Sequence, residues 1–175
     1  MIQARSGVFE TNSSSSHSIV VTKGEQPIEL IDPEWRLHDG ELNLWYADDL
    51  EFGRTPFDIL CDWYGRLRYA IASVGEMFID EIAAACKRHL KGFDHFKLPQ
   101  DRYGDEESYY GYVDHQSFNL LRHTLRAHNI TLDDFIFNDK YIVIIDGDEY
   151  NVFRRLRSTL LFDGTVIDYE EGADD

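Results

Sequence analysis

Residues 56–91 read PFDILCDWYGRLRYAIASVGEMFIDEIAAACKRHLK, and apolar residues recur along this stretch at three- and four-residue spacing. That spacing places them on one face of a helix. Gly75 interrupts the pattern, and three basic residues precede Gly92, as is typical of a helix end. Thr55 is suited to cap the first helix and Pro56 to occupy its first turn. We therefore predict an αα-hairpin over about residues 56–91.

Short β-branched and apolar runs lie on both sides of the hairpin and predict strands. Residues 141–145 read YIVII, which is apolar on both faces and is typical of a central strand. An edge strand is predicted at 165–169. The runs at 18–22, 28–31 and 42–46 predict an antiparallel sheet in the N-terminal part of the chain.

Further helices are predicted in the second half of the chain. Ser117 is suited to cap one of them, and Asn129, which tolerates a positive φ, is suited to end it. Thr131 begins a short helix with acidic residues in its first turn, and residues 152–162 form an amphipathic helix.

These elements together predict an α+β fold, in which a small, mostly antiparallel sheet packs against several helices. A chain of 175 residues fits one domain with a substantial core. We expect that domain to span residues 1–169 and the acidic tail, residues 170–175, to be frayed.

The charge of the chain bears on its partners. Its 33 acidic and 17 basic residues give a formal charge of −16, which repels phosphate backbones. We expect no direct DNA binding. A basic protein partner is favoured, and the nucleic-acid-binding groove of another protein is one such surface. The alternative is that the charge serves only solubility.

Hydropathy and cysteine content bear on where in the cell the protein is located. No apolar run is long enough to predict a membrane span. Cys61 and Cys86 each lie in a stretch that predicts helix, and we expect both to be reduced, as in a cytoplasmic protein. No zinc-binding cysteine pair, HExxH, phosphate loop or GxGxxG motif occurs. The sequence therefore predicts no cofactor and no metal site.

A polar run near the N-terminus is the first candidate for chemistry. Residues 9–18 read FETNSSSSHS, and their hydroxyl, amide and backbone N–H groups can surround a phosphate or a carboxylate. The ligand-binding residues predicted in this run are Asn12, Ser13, Ser14, Ser15 and Ser16. His17 is expected at a sheet edge as an acid, a base or a ligand, and Glu10 as its orienting group or a base. A flexible polar loop is the alternative interpretation.

The same run resembles the opening of a loosely defined family of uncharacterised phage and bacterial proteins. The resemblance covers about ten residues in this run. At most it also includes the separate tetrapeptide at residues 114–117. It implies that the run is a motif and that the chain has a phage or mobile-element origin, in which case it would act in the host cytoplasm. It implies no activity.

The tetrapeptide Asp114-His115-Gln116-Ser117 is the second candidate. A carboxylate beside an imidazole can fix its tautomer, and Ser117 as a helix cap would place His115 at an electropositive helix end. Alternatively, Asp114 and Ser117 only cap the helix. The third candidate is a pair of carboxylates, Asp146 and Asp148, which follows an apolar strand and predicts a turn, with a weak cation site as the alternative.

From these residues we predict one polar site. Its catalytic residues would be His17, His115, Asp114 and Glu10, and its ligand a phosphate-containing or nucleotide-like molecule. Because both histidines stand at element ends, we expect their replacement to cost little stability. The alternative is a non-enzymatic inhibitor or adaptor of the counter-defence type, whose acidic surface occupies a basic groove on a host protein.

Overall fold

A computed structural model describes residues 16–23, 36–44, 46, 50–53, 57–100, 109–113, 120–146 and 164–169. The fold is α+β, as the sequence predicted. The strand predicted at 28–31, the helix predicted at 152–162 and the tail at 170–175 lie outside the described residues.

The main sheet has four strands, and each neighbouring pair is antiparallel. Its strands are β1 (Ser16–Thr22), β5 (Phe57–Leu60), β8 (Tyr141–Asp146) and β9 (Gly164–Tyr169), in the spatial order β5-β8-β1-β9. Among the strands of the described residues, the predictions of a central strand at 141–145 and of an edge strand at 165–169 are therefore confirmed.

Two smaller sheets complete the strands of the described residues. One contains β2 (Leu37–His38), β3 (Glu41–Asn43) and β6 (His95–Lys97), and the other pairs β4 (Glu51–Phe52) with β7 (Tyr112–Val113). The prediction that the strands near residues 18–22 and 42–46 share an N-terminal sheet is wrong. Strand β1 pairs with two strands from the C-terminal part of the chain, and β3 pairs with β2 and β6.

The described residues contain four α-helices. They are α1 (Trp63–Val74), α2 (Ile79–His89), α3 (Leu120–Ala127) and α4 (Leu132–Phe137). Gly75, at a φ of 56°, and a short 3₁₀ turn at Glu76–Phe78 connect α1 to α2, so the predicted helical hairpin is present. None of these helices is long and apolar enough to cross a membrane.

The start of the hairpin differs from the prediction. Residues Phe57–Leu60 form β5, and α1 begins only after Asp62, whose carboxylate accepts a hydrogen bond from the Gly65 N–H. The apolar residues of this segment fit the helical spacing, but strand pairing with β8 determines their conformation. Tertiary pairing thus overrides the local pattern.

The core lies between one face of the main sheet and the helices. Ile19 of β1 and Val143 and Ile145 of β8 are fully buried there, together with Leu67 of α1 and Phe135 of α4. Burying one such side chain contributes about 1.5–3 kcal/mol. Because side chains alternate along a strand, Val20, Ile142 and Ile144 form a separate apolar cluster on the other face of the sheet.

Candidate functional site

His17 lies inside a strand rather than at its edge. It pairs with Ile145 of β8 on one side and with Tyr169 of β9 on the other. Its side chain is 1% exposed, and its Nδ1 atom lies 2.8 Å from the hydroxyl of Tyr69, a buried residue of α1. The expected position of His17 at a sheet edge is therefore wrong, because β1 has a neighbouring strand on both sides.

The other residues of the predicted site are only partly covered by the structure. Glu10, Asn12, Ser13, Ser14, Ser15, Asp114 and His115 lie outside the described residues. The backbone of Ser16 begins β1 and pairs with that of Asp146, the last residue of β8. A shared pocket of His17 and His115 therefore stays a prediction, as does the turn that includes Asp148.

The described residues contain a different pair of chemical interest, formed by His89 and Asp133. His89 is the last residue of α2, and Asp133 lies in the first turn of α4. The His89 Nε2 atom lies 2.5 Å from Asp133 Oδ1. Arg88 donates from Nε to the other carboxylate oxygen at 2.6 Å, so both oxygens of Asp133 are engaged.

Local sequence explains why these two helix ends meet. The hydroxyl of Thr131 accepts a hydrogen bond from the Asp134 N–H at 3.0 Å, which caps α4 and confirms the helix predicted to begin at Thr131. Asn129 adopts a φ of 57° and ends the preceding helix, also as predicted. Leu132 and Phe135 are buried against the core, and this packing brings the first turn of α4 to the end of α2.

The imidazole of His89 is held by stacking as well as by hydrogen bonding. Its ring lies nearly parallel to that of Phe137, with centroids 4.3 Å apart and an interplanar angle of 12°. Phe137 in turn stacks on Trp63, with centroids 6.0 Å apart and an angle of 18°. Trp63 is buried, so the three rings form a stack that runs from the core to the surface.

A cleft of about 590 Å³ lies beside the pair. His89, Asp133 and Phe137 line it together with the acidic Asp134 and Asp139. Asp139 lies 3.5 Å from the guanidinium of Arg66. The cleft is therefore rich in hydrogen-bond acceptors, and its carboxylates are held by neighbouring groups.

A tyrosine orients the second carboxylate of the cleft. Tyr141 donates its hydroxyl proton to Asp134 Oδ2 at 2.9 Å, and the Asn138 amide donates to Oδ1 at 2.9 Å. Burial, followed by the hydrogen bond to Asp134, raises the pKa of the Tyr141 phenol to about 12. The phenol therefore remains a hydrogen-bond donor throughout the neutral pH range.

The sequence did not predict the His89–Asp133 pair. The two residues are 44 positions apart, and each also fits a simpler role, His89 as a cation at a helix C-terminus and Asp133 as an acid in a first turn. The signal that sequence offered was the coincidence of a helix-ending histidine with a helix-starting aspartate. Only the packing of α2 against α4 shows that the two meet.

Neither metal binding nor similarity to known proteins adds to this description. Among the residues that the structure describes, no group of three or more His, Cys, Asp and Glu side chains could hold a metal ion. No family model, curated protein or solved structure matches the chain. The case for a site therefore depends on the geometry of its residues.

Proposed function

We propose that this chain binds a small polar ligand in the cleft beside His89 and Asp133 and exchanges a proton with it. One observation carries the proposal: the Asp133 carboxylate holds Nε2 of His89 at 2.5 Å while Phe137 stacks on the same ring. A carboxylate that orients an imidazole is the arrangement that general acid–base chemistry requires.

The hydrogen bond determines which ring nitrogen can react. An ionised carboxylate can only accept, so Nε2 carries the proton that is donated to Asp133. The lone pair of the neutral imidazole then lies on Nδ1, for which no hydrogen-bond partner occurs among the described residues. Nδ1 is therefore the atom that would accept a proton from a bound molecule, and the protonated ring would be stabilised by Asp133.

The charges of the cleft limit the ligand. Three carboxylates, those of Asp133, Asp134 and Asp139, line the cleft, against the single ammonium group of Lys140. This lining favours a neutral or cationic group that carries N–H or O–H donors. A phosphate group suits the run of Ser13 to Ser16 better, and the proposal of a phosphate site stays attached to that run.

A generic ester tests whether His89 can act as a base. In the hydrolysis of p-nitrophenyl acetate, water attacks the carbonyl carbon, Nδ1 accepts the water proton, and p-nitrophenolate leaves with the electron pair of the broken C–O bond. We expect His89→Gln to lower the rate by about 10-fold or more, a modest part of what positioned general bases contribute on their own substrates. Asp133→Asn should lower it as well, because the imidazolium loses its stabilising charge.

Two controls separate catalysis from folding. His123→Gln removes an exposed imidazole from α3 that does not line the cleft, and it should leave the rate unchanged. The melting temperature of each variant should stay close to that of the wild type, because exposed ion pairs contribute about 0–1 kcal/mol. Equal rates for His89→Gln and His123→Gln would contradict the proposal. The His89–Asp133 pair would then be only a structural contact between α2 and α4.

A second candidate function is favoured by the formal charge of −16. In it the chain is a non-enzymatic inhibitor or adaptor, of phage or mobile-element origin, whose acidic surface occupies a basic, nucleic-acid-binding groove. Complementary charge speeds association and selects the partner.

This second function can be tested by displacement. A labelled DNA duplex is bound separately to several nucleic-acid-binding proteins, and the chain is added to each complex. A specific inhibitor should displace the duplex from one protein at near-stoichiometric amounts. Weak displacement from all of them, of the kind that any polyanion produces and that added salt abolishes, would contradict this function.

A further inference from the structure

Among the residues that the structure describes, no further ring continues the stack of Trp63, Phe137 and His89 beyond His89. Phe137 covers one face of the His89 ring, and Asp133 occupies the Nε2 corner. The side chain of His89 is nevertheless 43% exposed. Because Phe137 covers one face and Asp133 one corner, we assign this exposure to the opposite face and the remaining ring edge, where a planar group can continue the stack.

A second cleft, of about 500 Å³, is also lined by His89. Leu37 of β2 and Leu90, which follows α2, contribute apolar surface, whereas Asp39 and Lys91 contribute one carboxylate and one ammonium group. Neither of these charged groups forms an ion pair with any residue that the structure describes. The cleft therefore offers a ring platform, apolar contacts, an acceptor and a donor.

We propose that the ligand of the His89 site is a planar nitrogen heterocycle of the nucleobase type, stacked on the outer face of the His89 ring. Its N–H groups would donate to Asp39, and a ring nitrogen or carbonyl oxygen would accept from Lys91. This inference shares the His89 ring with the proposed function but places its ligand in the second cleft, and it does not require proton transfer.

The chemistry of the second cleft selects this class over others. A purely apolar ring would form no hydrogen bond with the exposed Asp39 and Lys91 groups, and a phosphate would meet the field of an acidic protein. A nucleobase presents donors and acceptors on the edges of one flat ring and stacks on aromatic side chains, histidine included. Guanine fits best, because its amino group and ring N–H face a carboxylate while O6 and N7 accept.

Guanosine is the probe, and its binding is followed by NMR titration of the protein. The decisive variants are His89→Ala, which removes the ring, and His89→Phe, which keeps the ring and removes the imidazole nitrogens. Stacking of a base on an aromatic side chain corresponds to about 5- to 150-fold in affinity, so His89→Ala should weaken binding by that factor. His89→Phe should bind guanosine nearly as well as the wild type does.

Three further measurements define the contact. Asp39→Asn should weaken guanosine binding, and the substitution suits the backbone because Asp39 has a φ of 49°, a conformation that asparagine tolerates. Adenosine, which offers Asp39 fewer donors, should bind more weakly than guanosine. His123→Ala, the matched control on α3, should change neither affinity.

The outcomes separate this inference from the proposed function. No guanosine binding by the wild type, equal affinities of His89→Ala and the wild type, or a loss in His89→Phe as large as in His89→Ala would each overturn the inference. Ester hydrolysis tests the proton transfer independently, so base binding without hydrolysis overturns only that part. Titration with guanosine 5′-monophosphate shows whether the site prefers a nucleotide or a nucleoside. Binding of either compound with the same pattern of variant effects supports the inference.

Discussion

The Nε atom of Arg66 donates a hydrogen bond to the backbone carbonyl of Ile136 across 2.9 Å, and the Arg66 side chain is fully buried. Nη1 of the same guanidinium donates to the carbonyl oxygens of Cys61 and Tyr141 at 2.6 and 2.9 Å. One side chain of α1 thus connects the loop before it, the end of α4 and the start of β8. Burial lowers the pKa of Arg66, and Asp139 counteracts that effect.

Arg66→Met should destabilise the protein by about 3–5 kcal/mol, because two buried carbonyl groups and one partly buried carbonyl group lose their donor. Asp139→Asn should cost less than about 1 kcal/mol, since the carboxylate is half exposed and 3.5 Å away. Urea unfolding measures both free energies. Arg126→Met, which changes an exposed arginine of α3, is the control and should stay within about 0.5 kcal/mol of the wild type. Equal effects of Arg66→Met and Arg126→Met would contradict the role of Arg66.

Tyr69→Phe should cost about 1–3 kcal/mol, because it removes the buried hydroxyl that lies 2.8 Å from Nδ1 of His17. His17→Ala should cost about 2–4 kcal/mol, and not the small amount expected from the sequence, since the side chain is buried and its removal also leaves a cavity beside the sheet. Chemical denaturation of each variant gives these values. The matched control is Tyr46→Phe, which removes the hydroxyl of a tyrosine that is 65% exposed and should be neutral. A cost for Tyr69→Phe no larger than for Tyr46→Phe would contradict the buried pair.

Cys86 should resist alkylation in the folded protein. Its thiol is completely buried, and burial raises its pKa to about 12, so almost no thiolate forms near neutral pH. Cys61 is partly exposed and should react with iodoacetamide first. Peptide mass spectrometry after timed labelling distinguishes the two, and both should react in urea. Labelling of Cys86 at the rate of Cys61 in the native state would show that α2 is not packed as described.

Stability should fall at alkaline pH through Tyr141. Its pKa rises from an ordinary value near 10 to about 12 in the folded protein. Between these values the unfolded chain loses the phenol proton while the folded chain keeps it, so the unfolded state binds fewer protons and stability decreases as pH increases. Urea unfolding at about pH 9 and about pH 11 should show a larger loss for the wild type than for Tyr141→Phe. Equal losses would contradict the raised pKa.

Local rules predicted those features of the fold that depend on neighbouring residues. The central strand predicted at 141–145, the helix start at Thr131 and the helix stop at Asn129 are all confirmed, because each follows from hydropathy or backbone geometry within a few positions. Strand β5 was missed for the same reason. Its residues fit a helical spacing, and the partner that makes them a strand lies in β8, far along the chain.

The candidate site could not be predicted from the sequence, because its contacts join distant positions. His89 and Asp133 each have a sufficient local explanation, and nothing in their spacing indicates that they meet. For His17, the local sequence led to the wrong expectation. Its polar surroundings in the sequence favoured an exposed position, whereas pairing with both β8 and β9 buries its side chain under Tyr69, 52 positions away.

The position of β1 between β8 and β9 has a consequence for the synthesis of the protein. Thr22, at the end of β1, hydrogen-bonds to Lys140, which is 118 positions later in the chain. On the ribosome, β1 must therefore wait until the 118 positions from Thr22 to Lys140, and then β8, have been synthesised before it can pair with β8. Pairing over so long a loop folds slowly. Premature termination before β8 would leave β1 with unpaired edges that favour aggregation. The synthesis of β8 therefore determines when β1 of the nascent protein is protected from aggregation.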